Sequence, residues 1–245
     1  MIIGAKKIYH ENLSSTNVLA SSMIKQGRIQ EGTVIYTGYQ HSGKGQGSNT
    51  WESEAGKNLL FSIILYPQSV KAASQFIISK AVSLGIADYL SGIVKNITIK
   101  WPNDIYAGND KIAGILIENS IAGDEIESTV AGIGLNINQQ KFMSAAPNPV
   151  SLANITGMQY DLEATLSDLL NSLDRRYKML LYDKRAQLDR DYLALLYRYE
   201  LWSDYSDSNG PFEGRIVNIT DTGRLLIEDR RGRIYEFGHK EVDFI

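Results

Sequence analysis

A chain of 245 residues, 43% hydrophobic and 22% charged, has the makeup of an ordinary globular protein, long enough for one large domain or a medium domain with a small one beside it. A net charge of −3 argues against a nucleic-acid binder working through a broad basic face, and the lack of cysteine excludes disulfides, zinc–thiolate sites and cysteine nucleophiles. Histidines at 10, 41 and 239 are too scattered for a metal cluster, no apolar run approaches the roughly 18 residues that span a bilayer, and the N-terminal charges follow a tiny apolar run, the reverse of a signal peptide; the cytoplasm is the expected compartment, with no membrane partner.

A short strand over residues 2–10 leads to Ser14-Ser15-Thr16-Asn17 and a helix over 18–26, stopped by Gly27. Ser14 or Ser15 suits the helix cap, since a hydroxyl there accepts from free N–H groups of the first turn; the same cluster is equally suited to gripping a polar ligand. A strand over 33–37 then enters the Gly-rich stretch 38–51. Glycines at 43, 45 and 47 let backbone N–H groups approach an anion closely, and Lys44 adds a positive charge; the plain alternative is a flexible connector. Gly38 and Gly43-Lys44 have Walker A spacing, but Gly45 stands where the magnesium-holding hydroxyl belongs. A dinucleotide fingerprint fails at Ser48.

Residues 58–65 form a nearly continuous apolar run, as expected of a strand covered on both faces, and 69–94 read as one long amphipathic helix. Strands over 97–106 and 111–118 join through a hairpin at Gly108-Asn109-Asp110, and 128–138 continue the sheet. Glycines 114, 132 and 134 weaken these strands, so something must approach the sheet there. Residues 139–150 read as a loop, and helices cover 162–181 and 184–199. The polar stretch 203–210 suggests a boundary between a domain over 1–202 and a small β-domain over 203–245, with strands at 212–219, 224–228 and 233–237. From residue 211 on, five arginines and Lys240 face seven acids, so no nucleic-acid partner is expected.

The polar groups make a chemical set: hydroxyls at 15 and 16, the loop with Lys44, then Lys100, Asp104, Lys111 and Asn136. Lysines and backbone donors beside Asn and Asp suit phosphoryl or nucleotidyl transfer, where positioning and charge neutralisation do most of the work.

Lys100-Trp101-Pro102-Asn103-Asp104, Lys111 to Glu118, and Gly132-Ile133-Gly134-Leu135-Asn136-Ile137-Asn138 closely resemble the biotin protein ligases. So do Ser15-Thr16-Asn17 and Gly43-Lys44-Gly45-Gln46 leading to Trp51, Ser53, Gly56, Asn58 and Leu59, all in family order. The resemblance implies an α+β fold, a mixed sheet flanked by helices with a small SH3-like C-terminal β-domain. It also implies two steps. The carboxylate of biotin attacks the α-phosphate of ATP, giving biotinyl-5′-adenylate and pyrophosphate; a lysine of a biotin carboxyl carrier protein then takes the biotinyl group. Residue by residue, it places Ser15, Thr16, Asn17, Gln40, Gly45, Gln46, Gly114 and Ile115 around biotin, and Lys111 and Lys44 near carboxylate and phosphate. Trp51, Lys100, Asn103 and Asn136 fall to ATP, and Asp104 to the proton of the incoming lysine. Mg²⁺ would arrive with ATP rather than sit at a fixed protein site.

The family loop usually carries arginines where this chain has Lys44 and Gln46, and glycine where it has Ser48; lysine cannot hold a phosphate in bidentate fashion, so weaker retention of the adenylate is expected. Some relatives begin with a helix-turn-helix domain, for which the dozen residues before Ser15 leave no room, so operator binding is not expected. A homodimer is left open. Loops 41–50 and 139–150 are expected to be mobile without ligand, the first as a lid over the adenylate. The rival readings are a lipoate-type ligase and a non-catalytic biotin-binding module.

Overall fold

In the computed structural model, residues 1–47, 49–143 and 148–245 are described; the expected mobility of loops 41–50 and 139–150, and the effect of Ser48, fall partly or wholly outside them. A seven-stranded sheet runs in the order β1(Lys7–Leu13), β2(Val34–Gln40), β3(Leu59–Leu65), β7(Glu125–Leu135), β6(Asp110–Ala122), β5(Asp104–Ala107), β4(Ile97–Lys100). Only β1 and β2 pair in parallel, so the sheet is mixed, as expected. Helices α2(Phe76–Ser91), α4(Leu162–Leu181) and α5(Arg185–Leu195) contribute to the main core, while α1(Thr16–Gln26) covers a smaller cluster around Ile35, Ile64 and Val130.

Strand alternation divides β3, β6 and β7 between these two environments. Phe61 and Ile63, Ala113 and Ile115, Ala131 and Ile133 join the main core. Between them come Ser62, Gly114, Leu116, Glu118, Gly132 and Gly134, on the face shared with α1. That face carries the candidate site.

Several elements differ from expectation, each because a tertiary partner outcompetes local pattern. The first strand starts at Lys7 because the Ile2 and Ile3 amides donate to Asp174 Oδ1 of α4 at 2.6 and 2.9 Å, and Gly4 bends at φ 89°. Residues 69–71 are a turn and a strand-like bridge rather than helix: Lys71 bridges Glu125, and the Ala72 amide donates to the Asp124 carbonyl. The run 97–106 splits into β4 and β5, a second hairpin that turns at Trp101-Pro102-Asn103. The chain leaves α5 at Leu195 because Leu196 pairs with Ile99 and the Tyr197 amide donates to the Ile99 carbonyl, finishing the sheet edge at β4. A short helix, α3(Leu152–Thr156), held by a Ser151/Asn154 capping box, follows the expected loop.

The C-terminal part is a five-stranded antiparallel sheet in the order β11(Ile234–Phe237), β10(Leu225–Asp229), β9(Gly210–Ile219), β8(Trp202–Asp207), β12(Asp243–Phe244). The polar stretch expected to mark a boundary is itself β8 and its turn; only Tyr205 of that strand is fully buried, so composition hid the strand. Its arginines are largely engaged with acids: Arg215 with Glu228, Arg224 with Glu236 and Glu241, Arg230 with Glu213, and Arg233 with Asp229. This sheet meets the larger one through Trp101, whose indole N–H donates to the Gly223 carbonyl at 2.9 Å, and through the Phe76 amide, which donates to the Asp221 carbonyl. Among the described residues no helix is long and apolar enough to cross a membrane.

Candidate active site

At the start of α1, Ser15 has the extended backbone of an N-cap but makes no side-chain capping bond. The cap comes from β2 instead: Gln40 Oε1 accepts from the Thr16 amide at 2.7 Å and from its hydroxyl at 3.1 Å. Beneath lies Ser62 of β3, its hydroxyl 2.7 Å from Thr16 Oγ1 and 2.6 Å from Asn17 Oδ1. Asn17 in turn donates to Glu118 Oε2 at 2.7 Å. The Ser-Thr-Asn cluster is thus one buried polar network spanning α1, β2, β3 and β6. Sequence reasoning missed Ser62 and the role of Glu118, although a lone serine inside the apolar run Leu59–Leu65 was a legible signal.

The strand glycines have their explanation in side chains. A Cβ on Gly132 would lie 2.1 Å from Asn17 Oδ1. Gly114 and Gly134 are register partners on β6 and β7, and Cβ atoms there would lie 2.7 and 2.3 Å from the Trp51 indole. Trp51, expected against adenine, lies over these two glycines.

The flanks of the Gly-rich stretch pair with each other. Lys44 bridges Thr50, the Gly45 amide donates to the Asn49 carbonyl, and the Trp51 amide donates to the Gly43 carbonyl. The Gly45 and Trp51 amides are thus used within the loop.

Asp104 and Lys111 meet across the β5–β6 hairpin in an ion pair of 2.8 Å, each side chain about one-fifth exposed (20% and 21%). Burial pushes the Asp104 carboxyl above the ordinary carboxylate value, against the opposing pull of Lys111 and, more weakly, Lys100 and His239. Lys111 is held by its backbone, which pairs with Asn148 and Val150 on either side of Pro149. Its ammonium lies 5.7 Å from the Trp51 ring. Asn103 fastens the Trp-Pro-Asn turn to β6, its amide donating to the Ile115 carbonyl at 2.7 Å.

These groups enclose a cavity of about 170 Å³ lined by Ser15, Thr16, Asn17, Gln40, Lys44, Gly45, Gln46, Trp51, Asn103, Asp104, Lys111, Gly114 and Ile115. His239 of the C-terminal sheet also lines it, as no sequence pattern indicated. Burial, with Lys240 adding to it, lowers the His239 pKa. A second hollow of about 250 Å³, bordered by Ser79, Trp101, Thr222 and Gly223, shares Gln46, Asn103 and His239 with the first.

Two residues expected to bind the nucleotide stand outside the cavity lining. Lys100 does not line the cavity: its ammonium lies 5.0, 5.1 and 5.9 Å from the rings of Tyr106, Phe244 and Tyr197, and burial lowers its pKa. Asn136 lies behind the lining, its amide donating to the Val150 carbonyl at 3.0 Å. Its Oδ1 nevertheless is buried without a partner, as are Trp51 Nε1 and Gln46 Oε1. Buried polar atoms rarely stay unpaired, and orphans in and beside one cavity mark where a ligand's polar groups would belong. Among the described residues no three His, Asp or Glu side chains stand together to hold a metal ion.

The sequence pattern of the Biotin/lipoate A/B protein ligase family matches residues 9–138, over half the chain and from β1 through β7. The chain belongs to that family. Its similarity to the bifunctional ligase/repressor BirA of Bacillus subtilis is 30% identity, covering 94% of this chain and 72% of the relative. With the biotin–[acetyl-CoA-carboxylase] ligase of Paracoccus denitrificans it shares 31% identity over 79% of this chain and 83% of that one. The fold matches the Aquifex aeolicus biotin protein ligase in complex with biotin and ATP, with a TM-score of 0.79 and 22% identity, covering 98% of this chain and 99% of the other. The matched segment contributes every lining residue of the cavity just described but His239.

Proposed function

We propose that this ligase activates biotin with ATP and transfers it to a lysine of a biotin carboxyl carrier protein. The observation that carries the reading is the cavity's division of labour: a hydroxyl–amide network at one end, the Asp104–Lys111 pair at the other, and unpaired buried polar atoms in and beside it.

Gln40 Oε1 is taken by Thr16, which leaves the Gln40 amide nitrogen to donate to the biotin head group beside Ser15 and Asn17. The carboxylate then points toward Lys111. In the first step a biotin carboxylate oxygen forms a bond to the α-phosphorus as the bond to the β-phosphate oxygen breaks, releasing pyrophosphate. Lys111 and Lys44 offset the negative charge that builds there. In the second step the neutral carrier lysine attacks the acyl carbon and AMP leaves. Asp104 accepts the amine's proton, a task its raised pKa favours. Mg²⁺ would enter with the triphosphate, because the cavity offers one carboxylate and Lys111 already pairs with it.

The decisive experiment supplies a carrier domain, ATP and Mg²⁺ with either biotin or lipoate, and follows the carrier's mass. Acid-resistant gain of one biotinyl group is expected. Gain with lipoate alone would move the chain to the other branch of the family, and no gain with either would leave a binding module.

A further inference from the structure

The hydrogen-bond network under the start of α1 has a direction, and one residue outside the cavity sets it. Thr16, Asn17 and Ser62 are 3%, 3% and 0% exposed, so they share their protons with one another rather than with water. Glu118 of β6 stands outside the cavity lining and receives the Asn17 amide nitrogen at 2.7 Å. An ionised carboxylate only accepts, so Asn17 turns its Nδ2 toward Glu118; the Leu116 carbonyl, 3.4 Å from the same nitrogen, favours the same orientation. Asn17 Oδ1 then faces Ser62, 2.6 Å away, and takes the one proton that hydroxyl has. The Ser62 oxygen is left to accept from Thr16 at 2.7 Å, and the other neighbour of Thr16 Oγ1, Gln40 Oε1 at 3.1 Å, is an acceptor as well. The Thr16 proton is thus used inside the network, and toward the cavity this hydroxyl can only accept. Turning the Asn17 amide round would undo the order: Ser62 would accept from Asn17, donate to Thr16 and free the Thr16 proton for the cavity.

Beside that fixed acceptor stands a fixed donor, because Gln40 Oε1 is taken by Thr16 and the Gln40 amide nitrogen is what remains for a ligand. We infer that Glu118 is a positioning residue whose carboxylate, acting through Asn17, Ser62 and Thr16, makes the site selective for a head group that presents an N–H next to a carbonyl, as a cyclic urea does. This rests on the ligase reading above. It gives the choice of biotin over lipoate, whose dithiolane ring has neither group, a cause outside the pocket.

The test sets Glu118→Met against Glu118→Gln in the full chain. Glu118 is exposed, so neither variant should lower the melting temperature. Methionine offers Asn17 no oxygen, whereas glutamine keeps one that can accept. In Glu118→Met the calorimetric Kd for biotin, and for desthiobiotin, which retains the urea ring, should rise about tenfold, the scale of one buried hydrogen bond. The KM for ATP and the inhibition constant of lipoate should stay within about twofold, because neither ligand depends on the Thr16 acceptor. Glu118→Gln should lie within about threefold of wild type for biotin. Unaltered biotin affinity in Glu118→Met, a glutamine variant as weak as the methionine one, or an equal loss for lipoate overturns the inference and leaves the ligase reading standing. Wild-type protein that binds no biotin overturns both.

Discussion

The two faces of the large sheet handle charged groups differently. On the face packed by α2, α4 and α5, charges are closed off in pairs: Arg176 of α4 donates two bonds to Asp88 of α2, at 2.7 and 2.9 Å, and another to Asp191 of α5. Lys80, almost fully buried, meets Asp189 at 2.7 Å. On the α1 face, Asp104 and Lys111 are paired but open to a cavity, and Trp51 Nε1 and Gln46 Oε1 have no partner. A polar group whose bonds are complete contributes to stability, and one left incomplete at the wall of a cavity is available to a substrate. The carboxylates show the same split. Burial raises the Asp104 pKa; Asp174 is also opposed by burial, but the bonds from Lys178 and the Ile3 and Ile2 amides outweigh it and pull its pKa down.

The sharpest way to break this contrast is Lys111→Ala. Removing a cation aimed at developing charge should lower kcat by about 10²–10³, with a melting temperature close to wild type. A large fall in Tm with modest loss of rate would put Lys111 on the structural side. Arg176→Ala should do the reverse, costing roughly 2–3 kcal/mol in urea unfolding, short of the full penalty for breaking a deeply buried pair, while folded enzyme keeps its biotin and ATP KM values. Ser62→Ala probes the boundary between the faces. It should weaken biotin binding about 5- to 10-fold by calorimetry, by loosening Thr16 and Asn17, and cost about 1 kcal/mol of stability.

Asp174→Asn gives the smallest and most pH-dependent effect. Because the folded-state pKa is lowered, the stability this group contributes is fully present above its unfolded value of about 3.9 and is lost as pH falls through the lower folded value. The variant should therefore be about 1–2 kcal/mol weaker than wild type at pH 7, with the gap narrowing below pH 4 in parallel unfolding curves. Asp104 has the opposite sign: a raised folded pKa means that ionising it costs the native state stability as pH climbs from the ordinary value through the raised one. The acid limb of the transfer rate should accordingly lie above the ordinary carboxylate range.

Much of this molecule was determined by sequence alone. The apolar runs specified β3 and β7, periodicity specified α4, Gly27 ended α1, and the motif blocks carried both the fold class and most of the cavity lining. These features depend on local pattern, or on residue types that few other environments require. What the tertiary structure decided depended on partners distant in the chain. Asp174 drew the N-terminus out of the first strand, and Ile99 drew Leu196 out of α5. Aromatic rings from β5, the α5–β8 connection and the C-terminus drew Lys100 away from the cavity. The same holds for the glycines that first suggested a close approach to the sheet. Composition could say that Gly114, Gly132 and Gly134 leave space, but only the pairing of β6 with β7 and the course of the Gly-rich stretch show that Trp51 and Asn17 fill it, because a side chain's direction is set by the register of strands far apart in sequence.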